Sequence, residues 1–370
     1  MFVGITNTPR DYAWGSTGAI SELLGLPASG RTEAELWLGA HPGSPSRVVG
    51  TDETLVDIAA GLPFLLKVLA AGSALSLQAH PTMAQAAAGF ERENALGIPL
   101  DAPNRNYKDG FHKPELIYAL SEEFDALCGF RPVAGIRMLV QDHLPQATQL
   151  LDRLHGDESL RDVFEWLITR GDGVDGLIAT VVAAADRSTP ELATVLDLAE
   201  AYPGDPGIVI SLLLNRVTLV KGEVLYLPAG NIHAYLRGVG IELMASSDNV
   251  LRGGLTPKHV DVPELLDVLD FRPVPVPYLR GEKPSEGVLV FRPDVPDFVL
   301  AVIEDEGSFA PAGPAIALCT AGDLEVVGSN GAYNLSRGDA VFIEGEGALS
   351  FSGLGTVFLA TVNGAAGSTK

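Results

Sequence analysis

The chain has 370 residues, 46% of them hydrophobic and 19% charged, with a formal net charge of -22. That length and apolar content support a sizeable core and two or three structural units. The acidic balance excludes nucleic acid as a partner, because phosphate-backbone binding needs a surplus of Lys and Arg on one face. No apolar run reaches the roughly 18 residues needed to cross a bilayer, and Met1 to Arg10 lacks the pattern of an export signal; no membrane partner and a cytoplasmic location are expected. An anionic substrate remains compatible with the composition, provided that Lys and Arg converge locally against the repulsive overall field. The two cysteines, Cys128 and Cys319, lie far apart without metal or redox spacing and read as core thiols.

Up to about Phe130 the chain reads as short β-branched or apolar runs broken by Gly and Pro, with one Ala-rich helix near Met83 to Phe90. From Val133 to about Ile210 the apolar period becomes helical, with Leu150, Leu154, Leu160, Phe164 and Leu167 recurring mostly three or four apart. Thr189-Pro190 is a helix start, and the Pro- and Gly-rich run from Pro203 to Gly207 breaks the helical pattern. Strands return from Val217, and the alternating prolines of Phe271 to Pro277 form an extended linker into a last β unit.

An internal repeat supports two similar β barrels. Lys221-Gly222-Glu223 followed by Val224 to Leu227 aligns with Arg337-Gly338-Asp339 followed by Ala340 to Ile343. Counted forward from the paired glycines, His233 falls opposite Leu349, so the chemistry of that His is expected in the first barrel alone.

Three segments carry candidate ligands. Ser76, Gln78 and His80 alternate with apolar residues, which places them on one strand face; a half-exposed strand with a surface His is the plainer reading. Lys113 and Glu115 share a face at the entrance to the apolar run Leu116-Ile117-Tyr118, and a carboxylate there needs a partner, whether a salt bridge or a metal ion. Leu225 to Tyr235 reads as a hairpin whose return strand begins at His233. Two His, one Glu and a Gln oxygen make a nitrogen and oxygen set suited to Zn²⁺, with Fe²⁺, Mn²⁺ or Co²⁺ as substitutes.

Taken together these motifs resemble the type I mannose-6-phosphate isomerases, also called phosphomannose isomerases. The resemblance is carried by Tyr12 to Ser16, Ala34 to Pro42, Leu62 to Leu69, Leu75 to Pro81, Tyr107 to Glu115 and, most specifically, the whole stretch from His233 to Lys258. Two positions depart from the family pattern: Phe111 replaces an Asn, and Gly253 replaces an Ala. The resemblance implies a mainly β fold of two cupin-like (jelly-roll) β barrels with an α-helical insertion domain. Residues 1–130 with 216–270 would form the metal-binding barrel, 131–215 the insertion, and 271–370 a C-terminal barrel without a metal site.

It further implies one Zn²⁺ per chain held by Gln78, His80, Glu115 and His233, and a monomer acting on a small sugar phosphate. Mannose 6-phosphate and fructose 6-phosphate would interconvert through a cis-enediol, with Arg252 stabilising the developing negative charge. Lys113, His112 and Asp248 are rival candidates for the proton-transfer steps. Ser76, Lys67 and Lys258 are candidates for the phosphate, Lys67 having a snorkelling structural role as its alternative. Trp14, Trp37 and Tyr235 read as packing. Other readings are an isomerase of a related aldose phosphate or free aldose, a cupin oxygenase, and a sugar-binding cupin without catalysis. Gln78 as a fourth protein ligand disfavours the oxygenase, and the charges of Arg252, Lys113 and Lys258 disfavour the binder.

Overall fold

The computed structural model describes residues 1–364. In chain order it contains β1 (Phe2–Thr6), β2 (Glu35–Leu38), β3 (Phe64–Ala71), the short β4 (Gln78–Ala79), β5 (Glu115–Ala119) and β6 (Glu123–Phe130). A helical segment follows, with its five longest helices at Val133–His143, Thr148–Arg153, Leu160–Ile168, Val174–Ala184 and Pro190–Ala201. The last of these starts where Thr189 caps it, the side chain accepting the backbone N–H of Leu192, with Pro190 at the first helical position. Strands resume with β7 (Leu214–Val220), β8 (Val224–Leu227), β9 (His233–Ala245) and β10 (Leu251–Arg252). The C-terminal unit is β11 (Val288–Phe291), β12 (Val299–Glu304), β13 (Ala315–Gly328), β14 (Gly331–Ser336), β15 (Ala340–Ile343) and β16 (Leu349–Thr361).

The two β units share one pairing pattern. In the first, β2 pairs β3, β3 pairs β9, β9 pairs both β5 and β6, and β8 pairs β5. In the second, β11 pairs β12, β12 pairs β16, β16 pairs β13, and β15 pairs β13. The glycine-paired repeat is thus a repeat of topology. Glu115 faces Leu227 across its ladder as Ala315 faces Ile343, and His233 opens β9 as Leu349 opens β16. One expectation changes: β8 and β9 are no hairpin, since β5 lies between them and pairs with both. A jelly roll interleaves strands in this way, and it puts Glu115 next to the strand that carries His233. The N-terminal β1 pairs β15, so the chain begins in the C-terminal sheet.

Alternation decides which side chains face the first barrel's interior. On β3, Phe64, Leu66 and Val68 join a core shared with Phe342 and Phe358 of the second barrel, while Leu65, Lys67 and Leu69 point the other way into a cavity. On β2, Leu36 and Leu38 take the shared core, and Glu35 and Trp37 the cavity. β9 is too long for a single alternation. Tyr235 faces inward with His233, yet further along it is Glu242 and Met244 that reach the cavity, because a bulge between Tyr235 and Arg237 shifts the register by one. The interior of the second barrel is apolar throughout, with Val341, Ile343, Leu349 and Val357 fully or almost fully buried.

The helical segment packs against the open end of the first barrel. Phe130 of β6 stacks on Phe271 of the linker at 5.1 Å and meets Phe164 of the insertion edge-on at 5.9 Å. Three parts of the chain meet at that fully buried ring. Phe130→Ala is expected to lower unfolding free energy by about 3–5 kcal/mol through lost burial and a residual cavity, measured by urea denaturation.

Candidate metal centre and cavity

His80 directly follows β4, Glu115 opens β5 and His233 opens β9, so three neighbouring elements deliver their side chains to one point. All three are buried, at 1%, 1% and 0% exposure. His80 Nε2 lies 3.1 Å from Glu115 Oε1, and His233 Nε2 lies 3.2 Å from Glu115 Oε2. Gln78, whose backbone pairs with His233, brings its amide to 3.3 Å from His233 Nε2. Each imidazole is oriented from behind, His80 Nδ1 by the Asn249 carbonyl at 2.8 Å and His233 Nδ1 by the Asn231 carbonyl at 3.0 Å. An Nδ1–H fixed in this way leaves Nε2 as a lone pair aimed into the cluster.

His80 Nε2 and Glu115 Oε2 are buried and make no hydrogen bond, a costly arrangement unless something else satisfies them. Ligands about 2.1 Å from one ion in tetrahedral array stand roughly 3.4 Å apart, close to the separations seen here. The donor set and the orphaned atoms therefore fit a divalent cation. Burial pushes the His80 imidazolium down to about 4, so the ring is neutral as a ligand must be. Burial also works to raise the Glu115 carboxyl, but Lys113, 3.1 Å away, and the imidazoles override it and hold the group well below the usual range.

The cluster opens onto a cavity of about 860 Å³. On its wall Lys67 is buried between Glu242 at 2.8 Å and Glu35 at 3.6 Å, with its ammonium 5.1 Å from the Trp37 ring centroid. Burial alone would lower the Lys67 ammonium; the two carboxylates outweigh it and raise it above its ordinary value. Asp248 takes a hydrogen bond from His41 Nε2 at 3.2 Å, and His41 Nδ1 accepts the Gly43 N–H, which leaves the proton on Nε2. Burial works to raise Asp248, and the His41 contact overrides it and lowers the carboxyl. Arg252 and Lys258 line the same cavity, and among the described residues neither side chain has an ion-pair or hydrogen-bond partner. Burial lowers both, and for Lys258 the nearby Arg252 charge adds to it.

Of the residues singled out from sequence, Gln78, Glu115, Lys113, Asp248, Arg252, Ser76, Lys67 and Lys258 all line the cavity, and His80 and His233 lie directly behind it with Glu115. His112 stands apart: its Nε2 is 2.9 Å from Asp297 of the C-terminal unit and it does not line the cavity. Lys67 is neutralised by its two carboxylates, whereas Arg252 is not paired with Asp248. Trp14, Trp37 and Tyr235, read as packing, line the cavity, as do His41, Glu35, Glu242 and Tyr202, which the sequence did not single out. Tyr235 was detectable as the residue two beyond His233 on one strand face; Tyr202 arrives from the helical insertion, and no local signal marks it. Gly253 sits where an added Cβ would meet Ile232, Leu265 and Leu77 at ordinary contact distances, so the alanine of the family pattern would fit there. Phe111 exposes its ring and contributes only backbone hydrogen bonds.

Two jelly-roll barrels, of which among the described residues only the first carries an oriented nitrogen and oxygen cluster open to a charged cavity, define a metal-dependent enzyme of the cupin type. Comparison with known proteins agrees. The model for the phosphomannose isomerase type I catalytic domain matches residues 2–133. Mannose-6-phosphate isomerase of Escherichia coli (strain K12) is 38% identical over 368 residues, covering 92% of this chain and 94% of that one. The Homo sapiens enzyme of the same name is 33% identical over 357 residues, 81% of each chain. A crystal structure of mannose 6-phosphate isomerase bound with zinc and yttrium superposes with a TM-score of 0.89 at 36% identity, covering 98% of this chain and 99% of that one. The chain belongs to the type I mannose-6-phosphate isomerase family.

Glu115→Gln keeps the shape of the side chain and removes its charge. It is expected to weaken zinc binding by more than about 100-fold, measured by competition with a chromophoric chelator.

Proposed function

We propose that the chain is a zinc-dependent isomerase that interconverts mannose 6-phosphate and fructose 6-phosphate. The observation that carries this reading is that the ligand cluster and two unpaired cations, Arg252 and Lys258, open onto one cavity. Gln78, His80, Glu115 and His233 would hold the ion, and zinc when bound supplies a Lewis acid for the oxygens at carbons 1 and 2 of the open sugar. Arg252 pairs through its backbone with Gln78 on β4, which supports a place beside those oxygens, where its guanidinium offsets the negative charge of the enediol stage.

Asp248 is the proton acceptor in this reading. His41 occupies its Oδ2 and leaves Oδ1 free for the proton that travels between carbons 1 and 2. The lowered carboxyl is ionised at neutral pH, as an acceptor must be. Lys113 keeps Glu115 charged, and His112, tied to Asp297, has a structural role. Lys258 and Ser76 bind the phosphate, and Lys67 holds Glu35 and Glu242 in place on the wall. Tyr202 closes one side of the cavity from the helical insertion, its hydroxyl donating to the Ala74 carbonyl at 2.7 Å. Among the described residues no helix is long and apolar enough to cross a membrane. Work on a free sugar phosphate agrees with a cytoplasmic setting.

The purified protein is expected to convert mannose 6-phosphate to fructose 6-phosphate, to lose activity on chelation and to regain it with Zn²⁺. Arg252→Ala should lower kcat by about 10²–10³-fold, and Lys258→Ala should mainly raise KM. A metal-loaded wild type that is inactive on this substrate, or equally active on free mannose, would sink the reading.

The acid limb of the activity profile tests Asp248 separately. The His41 hydrogen bond lowers this carboxyl, so removing it must raise it. His41→Leu is therefore expected to move the acid limb of kcat/KM to higher pH; an unmoved limb would assign the base elsewhere.

A further inference from the structure

The turn from Ser247 to Asn249 does two tasks at once. Its middle residue presents the Asp248 carboxylate, and its last residue presents the carbonyl that orients His80 at 2.8 Å. No regular element holds this turn, which lies between β9 and β10. What holds it is Asp109. One carboxylate oxygen, Oδ1, accepts the Ser247 hydroxyl at 2.9 Å, the Asn249 amide at 3.1 Å and the Phe111 N–H at 2.9 Å. The other, Oδ2, accepts the Asp248 backbone N–H at 2.9 Å.

Asn249, fully buried, closes the clasp from the other side. Its Nδ2 donates to the carbonyls of Asp109 and Phe111, both at 2.8 Å, and its Oδ1 accepts the Lys108 N–H at 2.7 Å. The two side chains thereby tie the segment 108–111, which runs on into Lys113 and Glu115, to the turn that orients His80. Both metal-facing arms are set against a common brace. A carboxylate suits this position because one group meets four donors; a carboxamide has a single acceptor oxygen and would turn N–H groups toward other N–H groups.

We propose that Asp109 is a positioning residue: clasped with Asn249, it fixes the turn at 247–249 and so aims the His80 imidazole and the Asp248 carboxylate together. The part that concerns Asp248 rests on the isomerase reading; the part that concerns His80 does not. A side chain that only stabilised the fold would lower the melting temperature without a specific effect on the metal. A brace behind a ligand changes metal affinity by about 10–100-fold.

The test compares Asp109→Asn, Ser247→Ala and Val341→Ala, the last removing buried methyl groups from the core of the C-terminal barrel, a cluster that includes no residue of the metal centre. Zinc affinity is read by competition with a chromophoric chelator, and thermal stability by circular dichroism. Asp109→Asn is expected to bind zinc about 10–100-fold more weakly, and Ser247→Ala, which deletes one of the four donors, to bind it more weakly by a smaller factor. Val341→Ala is expected to melt earlier with its zinc affinity unchanged. With saturating zinc, Asp109→Asn should also lose at least about tenfold in kcat, with KM little altered. Zinc affinity within about threefold of wild type in Asp109→Asn, or a loss no larger than in Val341→Ala, would overturn the proposal. Should wild type fail to isomerise mannose 6-phosphate, the zinc measurement still decides the role of Asp109 at His80.

Discussion

Glu115 is a carboxylate buried to 1% exposure inside a β barrel, and the arrangement of the first barrel follows from the need to neutralise it. An isolated charge at that depth is prohibitive, so every neighbour is a partner: Lys113 on its own segment, His80 and His233 from the adjacent elements, and the space for a cation among them. Backbone carbonyls occupy the Nδ1 side of both imidazoles, which turns each Nε2 into the cluster. Rings held from behind in this way would reduce the reorganisation that metal binding otherwise requires.

The same constraint explains why only one of two similar barrels carries chemistry. In the C-terminal copy the positions equivalent to Glu115 and His233 are Ala315 and Leu349, and with no charge to satisfy, the interior closes into an apolar core. The first barrel, by contrast, keeps Glu35, Lys67 and Glu242 on inward-facing strand positions, and their mutual pairing lets charged side chains line a cavity wall. The outward faces of both barrels are apolar and pack together, so the second barrel supports the catalytic one by covering β2, β3 and β5.

A chain with a net charge of -22 must bind an anion through local design. The acids of the cavity are consumed by partners: Glu35 and Glu242 by Lys67, Glu115 by Lys113 and the imidazoles, Asp248 by His41. Arg252 and Lys258, within a few residues of each other, are left uncompensated, and in a partly desolvated site such charges act on an anion with little competition from water. Sequence reading anticipated such a cluster and offered Lys67 as a member, with a structural role as its alternative. Lys67 precedes Val68 in an ordinary-looking strand, and its two carboxylate partners, Glu35 and Glu242, lie on separate strands that meet it only in the folded sheet.

Much of this protein is local enough to be written in its sequence. Alternation placed Ser76, Gln78 and Lys113 with Glu115 on shared faces, the helical period marked the insertion, and the paired glycines gave the barrel repeat with Leu349 opposite His233. Those features depend on spacings of two to four residues or on a repeated pattern, and spacing is what a sequence displays. What the tertiary structure alone decided is the set of partners. It interposed β5 between β8 and β9, reversed the facing of β9 at the bulge after Tyr235, sent His112 to Asp297 and His41 to Asp248, and brought Tyr202 over from the helices. Each of these depends on chain segments tens to hundreds of residues apart, and no local preference encodes which of many possible long-range contacts closes, because that choice is made by the packing of the whole core.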